Sequence, residues 1–126
     1  LLTLSYSLIL GIIVAQVILT APVVFKVLDN ENASKFLRAI FPRYYLLLFL
    51  ICLVASLISY LWFSAIDTWI ALTASMLAFI GFIIIPVTNS ARDRGWNKLF
   101  KILHNISVLN TIILFIIAVA QLVRIS

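Results

Sequence analysis

The chain has 126 residues, of which 65% are hydrophobic and 10% charged, with a net charge of +5. Soluble domains carry about 25% charged and 45–50% apolar residues, so this composition excludes a soluble domain and predicts an integral membrane protein. The basic residues flank apolar runs and form no face with base-stacking groups, which excludes a nucleic-acid-binding protein and favours the lipid bilayer as their partner.

The first predicted element is an apolar helix over residues 1–28, longer than the roughly 20 residues that cross a bilayer. No Lys or Arg precedes it and no cleavage site follows it, so we predict a retained span and no secretory signal. Because the chain does not begin with Met, we expect a few residues to precede Leu1. Pro22 removes a backbone donor and predicts a bend. Gly11 and Ala15 form a small-residue pair that allows another helix to approach closely.

The second element is predicted over residues 31–41, which are too polar and too short to span a bilayer. Apolar side chains recur there at helical spacing, at positions Ala33, Phe36, Leu37, Ile40 and Phe41. The pattern predicts a short amphipathic helix lying along the membrane surface. Asn30 or Asn32 is the expected N-cap, and Pro42 is expected to end the helix.

Three further spans are predicted over residues 43–64, 67–90 and 99–123. Asp67 is the expected N-cap of the third span. One face of that span carries the small residues that favour close packing, namely Ala71, Ala74, Ser75 and Ala78. The fold class is therefore all-α: a single-domain, integral membrane four-helix bundle of two antiparallel hairpins, with the interfacial helix between helices 1 and 2.

The distribution of basic residues predicts the orientation of the bundle. All of the nine Lys and Arg residues except Arg124 flank the first and third connections. Because basic residues are retained in the cytoplasm, both connections should be cytoplasmic and both termini should lie on the opposite side. We predict an integral protein of a bacterial inner membrane in this orientation.

Polar side chains inside the spans form a predicted seam, made of Gln16, Thr20, Asn89, His104, Ser107 and Asn110. At 1.5 Å per residue, Gln16 and Asn110 both lie roughly 13–15 Å from the cytoplasmic edge, so we predict that they meet. On the last helix, one arc of roughly 120° contains His104, Ser107, Asn110, Thr111 and Gln121. That arc should face protein, either as interhelical hydrogen bonds or as a polar cavity.

His104 is the only histidine in the chain. It could serve as a haem ligand, a metal ligand or a proton carrier, but a metal or bis-histidine haem site within one chain would need a second histidine. We therefore predict no metal site and no cofactor, and expect a hydrogen-bonded structural histidine near Asn89. Haem bound by this lone histidine, or between chains, is the alternative. No catalytic motif is present, and the four acidic residues all lie in predicted connections.

Three stretches carry a family resemblance: APVVFKVL at residues 21–28, FPRYY at 41–45 and LHNISVLN at 103–110, with Asn89 and Arg92 between the last two. This order and spacing resembles the small four-span membrane proteins related to transmembrane protein 205, whose bacterial members are described as a domain of unknown function. The resemblance implies a four-helix membrane fold and no established reaction. The motif positions, without assigned roles, are Pro22, Phe25, Phe41, Pro42, Tyr44, Asn89, Arg92, His104, Ser107 and Asn110.

Three functions fit these observations. The first is a non-catalytic membrane protein that acts as an accessory or assembly subunit, packing against other membrane proteins or a second copy of itself. The second is a transporter of a small molecule, a quinone or an ion along the polar seam. The third is a haem-binding membrane redox protein that uses His104.

Overall fold

The long apolar runs form helices because a chain surrounded by lipid must satisfy its backbone hydrogen bonds within each segment. The computed structural model describes all of residues 1–126 and contains no strand. Four helical stretches are long and apolar enough to cross a membrane, which confirms the all-α, four-span prediction. The elements are α1 (Leu2–Val14), a π-helical segment (Ala15–Thr20), α2 (Ala21–Val27), α3 (Asn30–Trp62), α4 (Ala65–Asp93) and α5 (Asn97–Ile125).

The four stretches form a closed ring in which each helix packs on two neighbours. The close pairs are α1 with α3, α3 with α4, α4 with α5, and α5 with α1, whereas no Cα atoms of the diagonal pairs approach within 8 Å. Consecutive helices run in opposite directions, so both chain termini lie at one end of the bundle, which we call the terminal end. The first and third connections lie at the other end, which we call the basic end.

The closest packing joins α3 to α4, where small side chains allow the two backbones to approach. The predicted small-residue face of α4 is buried there, since Ala71, Ala74, Ser75 and Ala78 are at most 4% exposed. Their partners on α3 include Leu48, Cys52 and Ala55 in the same core. Further along α4, Gly81 leaves a space that the ring of Tyr45 occupies.

The first and last helices separate towards the basic end. α1 packs against α5, but no Cα of residues 15–27 lies within 8 Å of a Cα in α5. The change begins at the π-helical segment, where the N–H of Ala21 donates to the carbonyl of Gln16, five residues earlier. Pro22 follows directly and has no N–H to restore the α-helical pattern. We call this separation of α2 from α5 at the basic end the opening.

The structure differs from the sequence prediction at Pro42. Residues 31–41 are helical as predicted, but they belong to one continuous helix with the second span. Proline removes a single hydrogen bond, and in the same turn Nη1 of Arg43 donates to the carbonyl of Ala39 at 2.8 Å. The cap also differs, because the N-cap is Asp29, whose carboxylate accepts from the N–H of Asn32 at 2.8 Å.

The start of α4 is one turn earlier than the predicted cap implied. Its N-cap is Ser64, and Asp67 occupies the third helical position of a capping box. The Ser64 hydroxyl accepts from the N–H of Asp67, while the Asp67 carboxylate accepts from the N–H of Ser64. Asp67 is thereby drawn into the bundle and is only 6% exposed.

Candidate functional site in the bundle interior

A set of polar side chains from three of the four helical stretches lies midway along the bundle. We call this set the mid-bundle polar layer and define it as Gln16, Tyr44, Tyr45, Asn110 and Thr111. Gln16 lies in the π-helical segment, the two tyrosines lie on α3, and the other two lie on α5. Four of the five are buried and Thr111 is half-buried.

Tyr45 joins α3 to α5 across the diagonal of the ring. Its ring lies in the space above Gly81 of α4, so its hydroxyl reaches the far helix. There it lies 3.3 Å from Oγ1 of Thr111 and donates to the carbonyl of Ser107 at 3.5 Å. These long bonds link the diagonal helices directly, and the side chain of Tyr44 also lies close to that of Thr111.

Asn110 is bonded on one side only. Its Nδ2 donates to the backbone carbonyl of Leu77 on α4 at 2.8 Å, while its Oδ1 has no partner. The predicted hydrogen bond between Asn110 and Gln16 is absent, and Nε2 of Gln16 is also without a partner. The cause is the separation of the first and last helices, which begins at the segment that carries Gln16.

A second polar group lies at the terminal end, and we call it the end cluster: Ser64, Asp67, Gln121 and Arg124. Oδ1 of Asp67 accepts from Nε2 of Gln121 at 3.1 Å and lies 3.1 Å from Nη1 of Arg124. Oδ2 accepts from the Ser64 hydroxyl at 2.7 Å. The sequence interpretation treated Asp67 as a residue of a connection and missed this cluster. The signal was the spacing of Gln121 and Arg124, which places them on one face of α5.

The remaining residues of the predicted seam do not form one continuous buried path. Thr20, Asn89 and Ser107 are half-buried, whereas His104 is exposed. His104 stacks on Phe100 with ring centroids 5.9 Å apart, and no hydrogen bond joins it to Asn89. The prediction that His104 faces the bundle interior is therefore wrong. His104 lies on the part of α5 that is separated from α2, so α2 does not cover it.

The structure brings together no group of three His, Cys, Asp or Glu side chains close enough to hold a metal ion. The imidazole of His104 is exposed and stacks on Phe100. A haem on this histidine would therefore contact the outer surface of α5, and its second face would have to be enclosed by another chain.

The positions of the family resemblance fall into two groups. Tyr44 is buried and packs edge-on to Phe41, with ring centroids 6.1 Å apart, and Pro42 is half-buried within α3. Pro22, Phe25 and Arg92 are exposed. The guanidinium of Arg92 lies over the ring of Phe100 at 5.8 Å, which fixes the start of α5 against the end of α4.

An ion pair closes the basic end between α3 and α4. Nη1 of Arg38 donates to Oδ2 of Asp93 at 2.9 Å, and Nη2 donates to Oδ1. Both side chains are partly exposed, so the pair is screened by water and salt and contributes little to stability. Its geometric effect is to hold the amphipathic start of α3 beside the last turn of α4.

A family model described as a domain of unknown function (DUF4149) matches residues 4–97. The match runs from α1 through α4 and ends at the first residue of α5. No curated protein and no solved structure matches the chain. Since the matched region is about three quarters of the chain, this four-helix membrane-type protein belongs to the DUF4149 family of domains of unknown function.

Proposed function

We propose that the protein is a non-catalytic accessory or assembly subunit, which acts by packing α1 against a transmembrane helix of another membrane protein or of a second copy. The observation that carries the proposal is a row of small residues on α1 and the first residue of the π-helical segment. They lie four positions apart, all four are exposed, and no part of the chain covers them: Thr3, Ser7, Gly11 and Ala15.

The chain itself shows what such a row does. Where α3 meets α4, the small residues Ala71, Ala74 and Ala78 allow the closest packing of the bundle. Lipid chains need no small residues opposite them, whereas contacts between membrane helices are enriched in Gly, Ala, Ser and Thr. A Cβ at Gly11 would meet nothing within 4 Å, so the row leaves open space for a partner helix.

The exposed surface supports lipid as the surroundings of this contact. Large apolar side chains cover the outside of every helix, with Ile18, Leu57 and Ile116 each about 60% exposed. Trp62 and Trp69 are exposed near the terminal end and Trp96 near the basic end, where indole rings suit the two membrane interfaces. The basic end is proposed to face the cytoplasm, with both termini outside. The relation to transmembrane protein 205 rests on the motif residues and stays a prediction.

The test is a leucine substitution that fills the row. Wild-type protein, extracted from its native membrane into lipid nanodiscs, should retain a stoichiometric partner. A Gly11→Leu, Ala15→Leu double variant should lose that partner while its unfolding midpoint stays unchanged, because no neighbour is displaced. Ala120→Leu on the exposed side of α5 is the matched control and should retain the partner. A wild-type protein isolated without any partner, or a double variant that keeps one, would overturn the proposal.

Transport of a small polar solute is the second candidate function. It is favoured by the unpaired polar atoms of the mid-bundle polar layer and by the opening between α2 and α5. Transport would require the layer to open alternately to both ends. The paired end cluster closes the terminal end in this structure, which is why the packing function is preferred.

A further inference from the structure

Three buried polar atoms of the mid-bundle polar layer have no hydrogen-bond partner: Nε2 of Gln16, the hydroxyl of Tyr44 and Oδ1 of Asn110. The residues that carry them are 7%, 6% and 5% exposed. Only two other such atoms occur in the chain, on Tyr6 and Ser59, and both are close to the terminal end. Buried polar groups in proteins nearly always have a partner, either protein or water.

The three atoms come from different elements but lie at one level of the bundle. The side chain of Tyr6 lies beside that of Gln121, which aligns α1 with α5. Gln16 follows Tyr6 by ten residues, and Thr111 precedes Gln121 by ten. Because these helices are antiparallel, both steps run about 15 Å in the same direction. Gln16 is thus level with Thr111. Asn110, which precedes Thr111 in the chain, and Tyr45, which bonds Thr111, lie at the same level.

We propose that the mid-bundle polar layer binds internal water. Nε2 of Gln16 and the hydroxyl of Tyr44 donate to it, and Oδ1 of Asn110 accepts from it. The chemistry of the layer is neutral, since its five members carry amide and hydroxyl groups only. Such groups match a ligand that both donates and accepts hydrogen bonds and that carries no charge. A water molecule bonded to two or more buried polar groups is an ordinary part of protein structure.

The burial of the layer bears on the size of its occupant. Two surface grooves lie away from it, one beside Ile66, Trp69 and Ile117 near the terminal end, the other beside Arg38 and Asp93 at the basic end. The unpaired atoms themselves are almost completely buried. These facts favour a water-sized occupant over a quinone ring.

The opening between α2 and α5 supplies the route for water. It begins at the π-helical segment, which contains Gln16, and continues through α2, since neither element has a Cα within 8 Å of a Cα in α5. By the same alignment, Thr20 is level with Ser107, and Val23 with His104. Thr20 and Ser107 are half-buried and His104 is exposed, so a polar side chain occurs at both of these levels. π-helical turns of this kind are frequent at functional sites.

The route is tested by cysteine accessibility in the membrane, because a polar maleimide reacts where water is present and fails where lipid covers the thiol. Ser107→Cys and Thr20→Cys should react. Their matched controls, Leu109→Cys and Leu19→Cys, are more exposed in the bundle but face lipid, and should not react. The native Cys52 is 1% exposed and serves as the internal blank. Unreactive Ser107→Cys and Thr20→Cys would show that lipid fills the opening, and would overturn the route.

The occupancy is tested by nuclear magnetic resonance on the full chain in nanodiscs. Gln16 and Gln121 are the only glutamines, so glutamine-selective nitrogen labelling gives two side-chain amides. The Gln16 amide should show a cross-peak to water that is lost in Asn110→Leu, whereas Gln121 is held by Asp67 and serves as the reference in both samples. A Gln16 amide without a water cross-peak would overturn the proposal.

Two adjacent tyrosines provide a second measurement. Tyr45→Phe removes a hydroxyl with protein partners and should lower the unfolding midpoint. Tyr44→Phe removes a hydroxyl that lies close to Thr111 but makes no hydrogen bond with protein, and should lower the midpoint if water is bound to it. An unchanged or raised midpoint in Tyr44→Phe would contradict bound water at this hydroxyl. The Gly11→Leu, Ala15→Leu variant should leave the water signal intact, so failure of the packing function and failure of this inference are distinguishable.

Discussion

The end cluster and the mid-bundle polar layer both bring together polar side chains of different helices, yet they are completed in different ways. In the end cluster, both oxygens of the Asp67 carboxylate have partners, supplied by Ser64, Gln121 and Arg124. In the layer, three side chains keep an unpaired atom. The first group therefore closes the bundle by itself, while the second needs a further molecule to complete it.

The difference follows from how closely the helices approach at each level. The end cluster joins α4 to α5, and its side chains reach one another, whereas Gln16 and Asn110 of the layer lie on the first and last helices. At the level of Gln16 the two helices begin to separate, and the same side-chain types fall short of each other. Similar residues thus act as a clamp where helices converge and as a site where they diverge.

The largest expected effect comes from breaking the end cluster with Asp67→Ala. The change removes the capping-box carboxylate and leaves Gln121 buried without its acceptor. Hydrogen bonds to a charged group contribute about 1.5–3 kcal/mol, so we expect the free energy of unfolding to fall by about 3 kcal/mol. The measurement is a denaturing-detergent titration followed by circular dichroism. A loss below about 1 kcal/mol would show that the cluster is not the clamp that its complete pairing indicates.

A smaller effect is expected from Gly81→Ala, which acts on one wall of the layer. The added Cβ would overlap the ring of Tyr45, a buried and bonded side chain that has little freedom to move. Overpacking of this kind costs about 1–3 kcal/mol, and the shifted ring should lose its bond to Thr111. Gly11→Ala is the matched control, since a Cβ there meets nothing within 4 Å and should leave or raise stability. Equal stabilities of the two variants would contradict the packing of Tyr45 over Gly81.

Much of the fold was predictable because bilayer thickness imposes long apolar runs, and because small residues such as Ala71 and Ala78 mark a close contact. The helical rise also predicted equal depth for Gln16 and Asn110. Their predicted pairing is absent, since a helical wheel assumes 100° per residue, and Gln16 lies in a π-helical segment where that angle fails. Asn110 instead bonds a backbone carbonyl, an acceptor that every residue has and that no side-chain pattern reveals.

Two other outcomes show what local rules leave out. Pro42 satisfies the usual rule for a helix end, yet the helix continues, because proline removes only one backbone hydrogen bond and apolar packing holds both sides. His104 shares an arc with Ser107 and Asn110, but an arc faces protein only where a neighbouring helix is present. The separation of α2 from α5 is a tertiary feature that one helix cannot encode.

The smallest effect is expected from Arg124→Gln, and it decides what holds the end cluster together. The Arg124 side chain is 43% exposed, whereas that of Asp67 is 9% exposed, so solvent and salt screen the ion pair from one side. We expect a loss of about 0.5 kcal/mol that disappears at high salt concentration, because Ser64 and Gln121 still bond the carboxylate. Detergent titrations at low and high salt measure it. A loss above about 2 kcal/mol, independent of salt, would mean that Asp67 depends on Arg124 as in a buried ion pair. The completeness of the end cluster would then rest on one charge, and its contrast with the mid-bundle polar layer would be much weaker.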